Sequence, residues 1–217
     1  MSGMYDLHTH SILSDGEMLP IELIRRMAVA GYTTVAITDH VDNSNAESVL
    51  STLALVRESA SLYGVHLLCG VEITHVPPSQ IANLAKDARK AGADIVLVHG
   101  ETPVEPVAEG TNHAACTCGE IDVLAHPGII TSGDAKAAAK NGTALEITSR
   151  GGHNRTNGHV ARTALRAGAQ LVVNSDAHAP HDILDERAKF LVAKGAGLSD
   201  AECKQVLSLN IGQFFGF

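Results

Sequence analysis

A local pattern recurs along this chain of 217 residues: an amphipathic segment, a glycine, then a short run rich in Val and Ile. The glycines are Gly31, Gly64, Gly92, Gly119, Gly142 and Gly168. Each falls where a helix would end, because the residue after a helix adopts a left-handed backbone that glycine enters without a Cβ clash. The runs that follow cover residues 33–38, 65–74, 94–99, 121–126, 143–148 and 170–175, and residues 4–8 make a seventh. The segments before the glycines carry helical spacing, as in Ile21, Ile24, Met27 and Ala28 behind Pro20, or Ile81, Leu84, Ala85 and Ala88. Strands apolar on both faces and separated by helices predict a parallel sheet covered by helices. The strand ends near His8, His40, Glu72, His99, His126, Ser149 and Asp176 are spaced by 32, 32, 27, 27, 23 and 27 residues. That regularity suits a closed α/β ring better than two half-sheets around a crevice. Two more helical stretches, around 182–194 and 199–209, are expected to cap the ring, so residues 1–217 read as a single domain.

A chain of this size buries roughly 70% of the surface it exposes when unfolded, so a metal here is expected to serve function rather than folding. The formal net charge of −8 and the absence of Trp disfavour a protein that tracks a long nucleic acid with a basic, aromatic face. No apolar run reaches eighteen residues and no apolar signal segment opens the chain, so the expected location is cytoplasmic, with no membrane partner. Cys69, Cys116, Cys118 and Cys203 include only one close pair and read as reduced thiols.

Histidine is the outlier at 12 of 217 residues, and imidazole is both the neutral-pH proton shuttle and the commonest metal ligand. In parallel α/β folds the active site gathers at the carboxyl ends of the strands. Six of the seven ends here carry a ligand type: His8 with His10, Asp39 with His40, Glu72, His99, His126, and Asp176 with His178. Any one of them alone is equally well read as a packing or capping residue; their recurrence carries the chemistry. His8 and His10, at i and i+2 on a strand, point the same way and can grip one ion. Asp15 follows in the turn Ser14-Asp15-Gly16. The nine candidates His8, His10, Asp15, His40, Glu72, His99, His126, Asp176 and His178 exceed what one ion can hold, so two to three divalent ions are expected. Imidazole and carboxylate without cysteine suit Zn, Fe or Mn. The ions outweigh the three carboxylates and leave a positive pocket in an acidic protein, which attracts a small anion.

The strings Asp6-Leu7-His8-Thr9-His10-Ser11, Ser14-Asp15-Gly16, Ile37-Thr38-Asp39-His40, Gly70-Val71-Glu72-Ile73, Val98-His99-Gly100, Ala125-His126-Pro127 and Ser175-Asp176-Ala177-His178 span nearly the whole chain. In order and spacing they resemble the PHP (polymerase and histidinol phosphatase) superfamily. The resemblance implies a distorted (β/α)7 barrel, a trinuclear metal site and histidinol-phosphatase-like phosphoesterase activity. By that analogy one ion takes His8, His10, Glu72 and Asp176, a second shares Glu72 with His99 and His126, and a third takes Asp15, His40 and His178.

Rival chemistries lack their motifs: there is no phosphate-cradling Gly-Lys loop, no serine elbow, no His-Glu-x-x-His helix, and no cysteine with an arginine six positions on. The sixth strand ends instead in Ser149 and Arg150, followed by Gly151, Gly152, His153, Asn154 and Arg155. Arg150 reads as a bidentate phosphate clamp and His153 as a phosphate contact or proton donor, with a surface salt bridge and a solvated loop as their ordinary alternatives. Arg155 is a further substrate-binding candidate, although decoration of a helix N-terminus suits it better. Asp39 is expected either to orient a ligand imidazole or to cap the next helix. His66, His75, His113, His159 and His181 read as surface or packing residues, and Glu101, Asp182 and Asp185 as rim acids available to a cationic substrate.

The expected protein hydrolyses a small phosphomonoester, histidinol phosphate being one candidate, with a metal-bridging hydroxide as nucleophile. A nuclease or nucleotide phosphatase on short nucleic-acid substrates is the first alternative, and a non-catalytic metal-binding interaction module the second.

Overall fold

The alternation that a strand imposes on its side chains explains how runs apolar on both faces serve two different cores here. In a computed structural model, which describes residues 3–212, the strands are β1 (Met4–Asp6), β2 (Tyr32–Ile37), β3 (His40–Val41), β4 (His66–Ile73), β5 (Ile95–His99), β6 (Val123–Ala125), β7 (Ala144–Thr148) and β8 (Leu171–Asn174). They run parallel in the order β1-β2-β4-β5-β6-β7-β8. Thr34–Ile37 of β2 pair with His66–Cys69 of β4, and His40 and Val41 of β3 pair with Glu72 and Ile73, so β3 continues the line of β2. Eight segments therefore make seven staves of a nearly closed barrel. Tyr5, Leu7, Ala36, Leu68, Ile95, Leu97, Val123, Ala144 and Val172 form the inner core, and their neighbours Val35, Ile37, Val71, Val96, Val98, Leu145 and Val173 belong to the larger core under the helices.

The covering helices are α1 (Pro20–Val29), α2 (Ala46–Ala54), α3 (Arg57–Leu62), α4 (Pro78–Lys90), α5 (Thr111–Thr117), α6 (Ser132–Asn141), α7 (Asn157–Ala167), α8 (Glu186–Gly195) and α9 (Asp200–Leu207). Of the six glycines that mark the repeat, five have positive φ, Gly142 and Gly168 being left-handed C-caps at 82° and 72°. Gly119 does not: α5 ends at Thr117 and Cys118 turns to an extended conformation, so the chain leaves that helix without a left-handed residue. The helix expected from 182 starts at Glu186, because Pro180–Asp182 is a 3₁₀ turn and the Asp185 carboxylate caps the new helix by accepting from the Ala188 N–H at 2.7 Å.

Between β8 and β1 side chains join the strands low in the barrel and backbone bonds resume just beyond their ends. Leu7 N–H donates to the Asn174 amide oxygen at 3.0 Å and Ser175 N–H to the Asp6 carboxylate at 3.0 Å, while His10 N–H reaches the Ala177 carbonyl at 2.8 Å. Lys189 of α8 lies buried behind this seam, donating to the Tyr5 carbonyl with its Nζ 3.9 Å from the Tyr5 ring centroid; burial pushes its pKa down to about 8. Below, Ile211 joins the inner core with Leu209 packed against it, and Tyr5 Oη donates to the Val206 carbonyl at 3.0 Å, so α9 and these two residues close the end of the barrel where the strands begin. All four cysteines are buried and free, and no helix among the described residues is long and apolar enough to cross a membrane.

Candidate metal centre

The inward positions that carry apolar residues low in the barrel carry ligands at its upper end: Glu72 on β4, His99 closing β5 and Glu146 on β7. His8 and His10 lie just beyond β1. His126 and Asp176 follow β6 and β8 with φ of 28° and 55°. Left-handed backbone outside glycine costs about 1–3 kcal/mol, and here it turns both side chains back over the mouth.

His8 shows how the site is wired. Its Nδ1 lies 2.8 Å from Glu146 Oε1, and Glu146 also accepts from the Asn174 amide at 2.8 Å and the His126 N–H at 2.9 Å. That fixes the ring and leaves Nε2 facing Glu72 Oε1 at 3.3 Å and Asp176 Oδ1 at 3.6 Å. His10 Nε2 stands 3.6 Å from Glu72 Oε2 and 3.4 Å from Asp176 Oδ1. His126 Nε2 stands 3.6 Å from Glu72 Oε1 and from Asp176 Oδ2. These spacings are too long for hydrogen bonds yet match the edge of roughly 3.4 Å of a tetrahedral shell with bonds near 2.1 Å. Among the described residues the buried His8 Nε2 and both ring nitrogens of His10 have no hydrogen-bond partner, an expensive condition that a cation would relieve. This donor set therefore fits divalent metal.

A second group forms around Asp15, whose Oδ1 lies 3.2 Å from His178 Nε2, 3.6 Å from His40 Nε2 and 3.9 Å from His10 Nδ1. The loop that presents Asp15 is tied down by Asp39, which accepts from Ser11 N–H at 2.8 Å, Ser11 Oγ at 2.7 Å and Ser14 Oγ at 2.7 Å. Asp39 thus holds that loop, neither bonding a ligand imidazole nor capping a helix. A Cβ on Gly16 would fall 2.4 Å from the His10 carbonyl oxygen, so the turn closes only with glycine there.

Facing these, His99, His126 and His153 bring ligand atoms within 4.8 Å of one another. Glu105, from the loop after β5, reaches His99 Nε2 at 3.1 Å, His153 Nε2 at 3.2 Å and His75 Nε2 at 3.7 Å. His75 is thus at the rim rather than a bystander, its φ of 54° turning it back towards His99.

The electrostatics of the mouth follow from burial opposed by proximity. Burial opposes a charge on His8, yet Glu146, Asp176 and Glu72 raise its pKa well above 6.5. Burial likewise opposes charge on Glu72, but His8, His40 and His99 hold it well below 4.5. His40 rises to about 9 against its burial because Glu72 and Asp15 face it. Asp176 is pushed up to about 7 by burial, and Glu105 is drawn down to about 2 by the hydrogen bond from His99. His10 and His126, buried and flanked by other imidazoles, stay neutral, the state that ligates metal.

All nine ligand candidates, the eight from strand ends and Asp15 from its turn, meet at this mouth. The substrate candidates divide: His153 is buried among the histidines, Arg150 sits at the edge with Nη1 3.3 Å from Asp182 Oδ2, and Arg155 is exposed. The three rim acids are engaged in structure. Glu101 accepts from Gly110 and Asn112 N–H, Asp182 from His178 and Ala179 N–H, and Asp185 caps α8. Glu146 and Glu105 were not singled out by the sequence. The signal for Glu146 was available, an acid at an inward position of an apolar run as Glu72 is; Glu105 lies in a loop without any periodicity.

A family model described as RNase P subunit p30 matches residues 3–215. An uncharacterized protein of Methanocaldococcus jannaschii is 44% identical over 205 residues, 94% of each chain. A probable phosphatase of Shewanella piezotolerans is 30% identical over 85% of this chain and 82% of its own. Among solved structures, histidinol phosphate phosphatase from Lactococcus lactis, complexed with zinc, L-histidinol and phosphate, superposes with a TM-score of 0.63 at 15% identity, covering 90% of this chain and 94% of that one.

Proposed function

Because this chain belongs to the RNase P subunit p30 family within the PHP superfamily, we propose that it is a metal-dependent phosphoesterase acting on a small phosphomonoester with two to three divalent ions of the Zn, Fe or Mn type. The observation that carries the reading is the convergence of nine imidazoles and carboxylates at one barrel mouth, with buried ring nitrogens that nothing among the described residues satisfies. His8, His10, Glu72 and Asp176 would hold one ion, Glu72, His99 and His126 a second, and Asp15, His40 and His178 a third. Divalent ions there would supply Lewis acidity towards phosphoryl oxygens and lower the pKa of water.

The protein's own groups do the positioning. Glu146 holds His8 by Nδ1 and so presents Nε2 inwards. Arg150 is paired with Asp182, which also accepts from the His178 N–H beside the Asp15 group, and is assigned to clamp the phosphate. The three acids that the sequence offers to a cationic substrate, Glu101, Asp182 and Asp185, are all engaged in structure, which favours a phosphoester with an uncharged or apolar alcohol over histidinol phosphate. Ile12, Val104 and Ile129, exposed in the loops after β1, β5 and β6, support the same preference.

A second reading, hydrolysis of short nucleic acids, is favoured by the match to an RNase P subunit model. The test is a panel of sugar phosphates, nucleotides, histidinol phosphate and a short oligonucleotide, offered to metal-loaded protein and to Glu72→Gln. Phosphate release from a small monoester, absent in Glu72→Gln, is the expected result. Cleavage of the oligonucleotide alone would transfer the assignment to the second reading, and no hydrolysis of any kind would end both.

A further inference from the structure

We propose that His153 is a third imidazole ligand of the ion held by His99 and His126, and that Glu105 supplies an oxygen donor beside it from the loop after β5. The inference rests on the metal-dependent reading above and goes beyond the nine ligand candidates. Three observations carry it.

The first is burial without satisfaction. His153 is 7% exposed, and the Nδ1 atoms of His99, His126 and His153 are all buried without a hydrogen-bond partner. A solvated loop histidine, or one waiting to donate a proton to substrate, has no reason to be enclosed by two other imidazoles; with one nitrogen of each ring already unpartnered, the three converge at a cost that a cation bound through their other nitrogens offsets. The second is convergence. The ligand atoms of the three lie within 4.8 Å of one another, and the Glu105 carboxylate spans the Nε2 atoms of His99 and His153 at 3.1 and 3.2 Å. With the Glu72 oxygen already assigned to this ion, three nitrogens and two oxygens would make a five-donor set, within what a catalytic zinc-like ion accepts.

The third is the way the backbone is built to deliver the ring. His153 opens the 3₁₀ turn His153–Thr156, and Gly152 before it has φ of 92°. A Cβ on Gly152 would stand 3.3 Å from Val104 Cγ1, so the turn that carries His153 is packed against the loop that carries Glu105. The two unassigned donors therefore come from loops held against one another, directly over the ends of β5 and β6.

Cobalt(II) is the probe. Wild type, His153→Gln, Glu105→Gln and His113→Gln are loaded with cobalt and desalted, then compared by cobalt content and ligand-field absorption. His153→Gln should retain about one ion fewer per chain or bind it more than about tenfold more weakly, Glu105→Gln should shift the absorption, and His113→Gln should match wild type. Should the glutamine variant fold poorly, His153→Cys gives a positive signature: a thiolate-to-cobalt charge-transfer band that His113→Cys lacks. Wild-type cobalt content and spectrum in His153→Gln, or no such band in a cobalt-loaded His153→Cys, overturns the proposal. Because the readout is cobalt and not turnover, loss of an ion in His153→Gln supports it even if no phosphoester is hydrolysed. Unaltered cobalt with lost turnover sinks it while sparing the phosphoesterase reading.

Discussion

Glu72 is fully buried, faces His8, His10 and His126 within 3.6 Å, and is the one carboxylate shared by two of the assigned ion positions. Its amide keeps the shape and loses the charge that offsets two neighbouring cations. Glu72→Gln should leave less than a tenth of kcat/KM and release at least one ion, measured by elemental analysis beside the assay; retention of more than a tenth, a loss under about 1.4 kcal/mol with metals bound, would remove it from the bridging position. Arg150 makes a different prediction, since it touches no ligand side chain. Arg150→Ala should lower kcat/KM by roughly a hundredfold with metal content unchanged, and Arg150→Lys should recover little because a point charge lacks the two-donor fork. A loss under about threefold in Arg150→Ala would return the residue to a surface ion pair with Asp182. Eight of the nine ligand candidates were legible because each is a ligand type at or just past the end of an apolar run, and Asp15, in a turn, only because it follows two of them. His75, Glu105 and the packed position of His153 were not, because loops carry no period from which direction can be read.

Helices and strands announce themselves in this chain through glycine, yet glycines that look alike in sequence do different work. Gly142 ends α6 at φ 82° with open space around its missing Cβ, so Gly142→Ala pays only for the backbone, about 1 kcal/mol. Gly119, where no left-handed turn is required and the surroundings are also open, should accept alanine within about 0.5 kcal/mol. Gly70, inside β4, would place a Cβ 2.5 Å from Ile95 Cγ2 and 2.9 Å from the Ile95 carbonyl oxygen, and Gly70→Ala should cost about 1–3 kcal/mol through overpacking of the barrel interior. Urea melts of the three variants test the order, and equal midpoints would refute it. The repeat pattern located the strands but could not separate these roles, because the cost lies in neighbours that sequence spacing does not name. The break between β2 and β3 was hidden for the same reason: Thr38 N–H turns to the Thr9 carbonyl at 2.8 Å, a partner far away in sequence.

At the scale of the molecule, stability and ligand chemistry compete for the same protons. In the metal-free protein His40 has a folded pKa of about 9, above its ordinary 6.5, because Glu72 and Asp15 face it. The stabilisation is fully present below pH 6.5 and disappears as pH rises through about 9, of the order of 3 kcal/mol for a shift of that size. Metal acts in the opposite sense. It requires neutral imidazole and charged carboxylate, so it binds more weakly as pH falls, and it stabilises the fold in proportion to the logarithm of one plus its free concentration over Kd. The inner and outer cores are large enough to keep the barrel folded after chelation, so both states can be melted. The gap in Tm between metal-loaded and chelated protein should therefore widen steadily from pH 6 to pH 9, with the chelated form losing stability and the loaded form holding or gaining it. A gap that stays constant across that range would mean that His40 does not exchange a proton for a cation, and would remove it from the ion position it shares with Asp15 and His178.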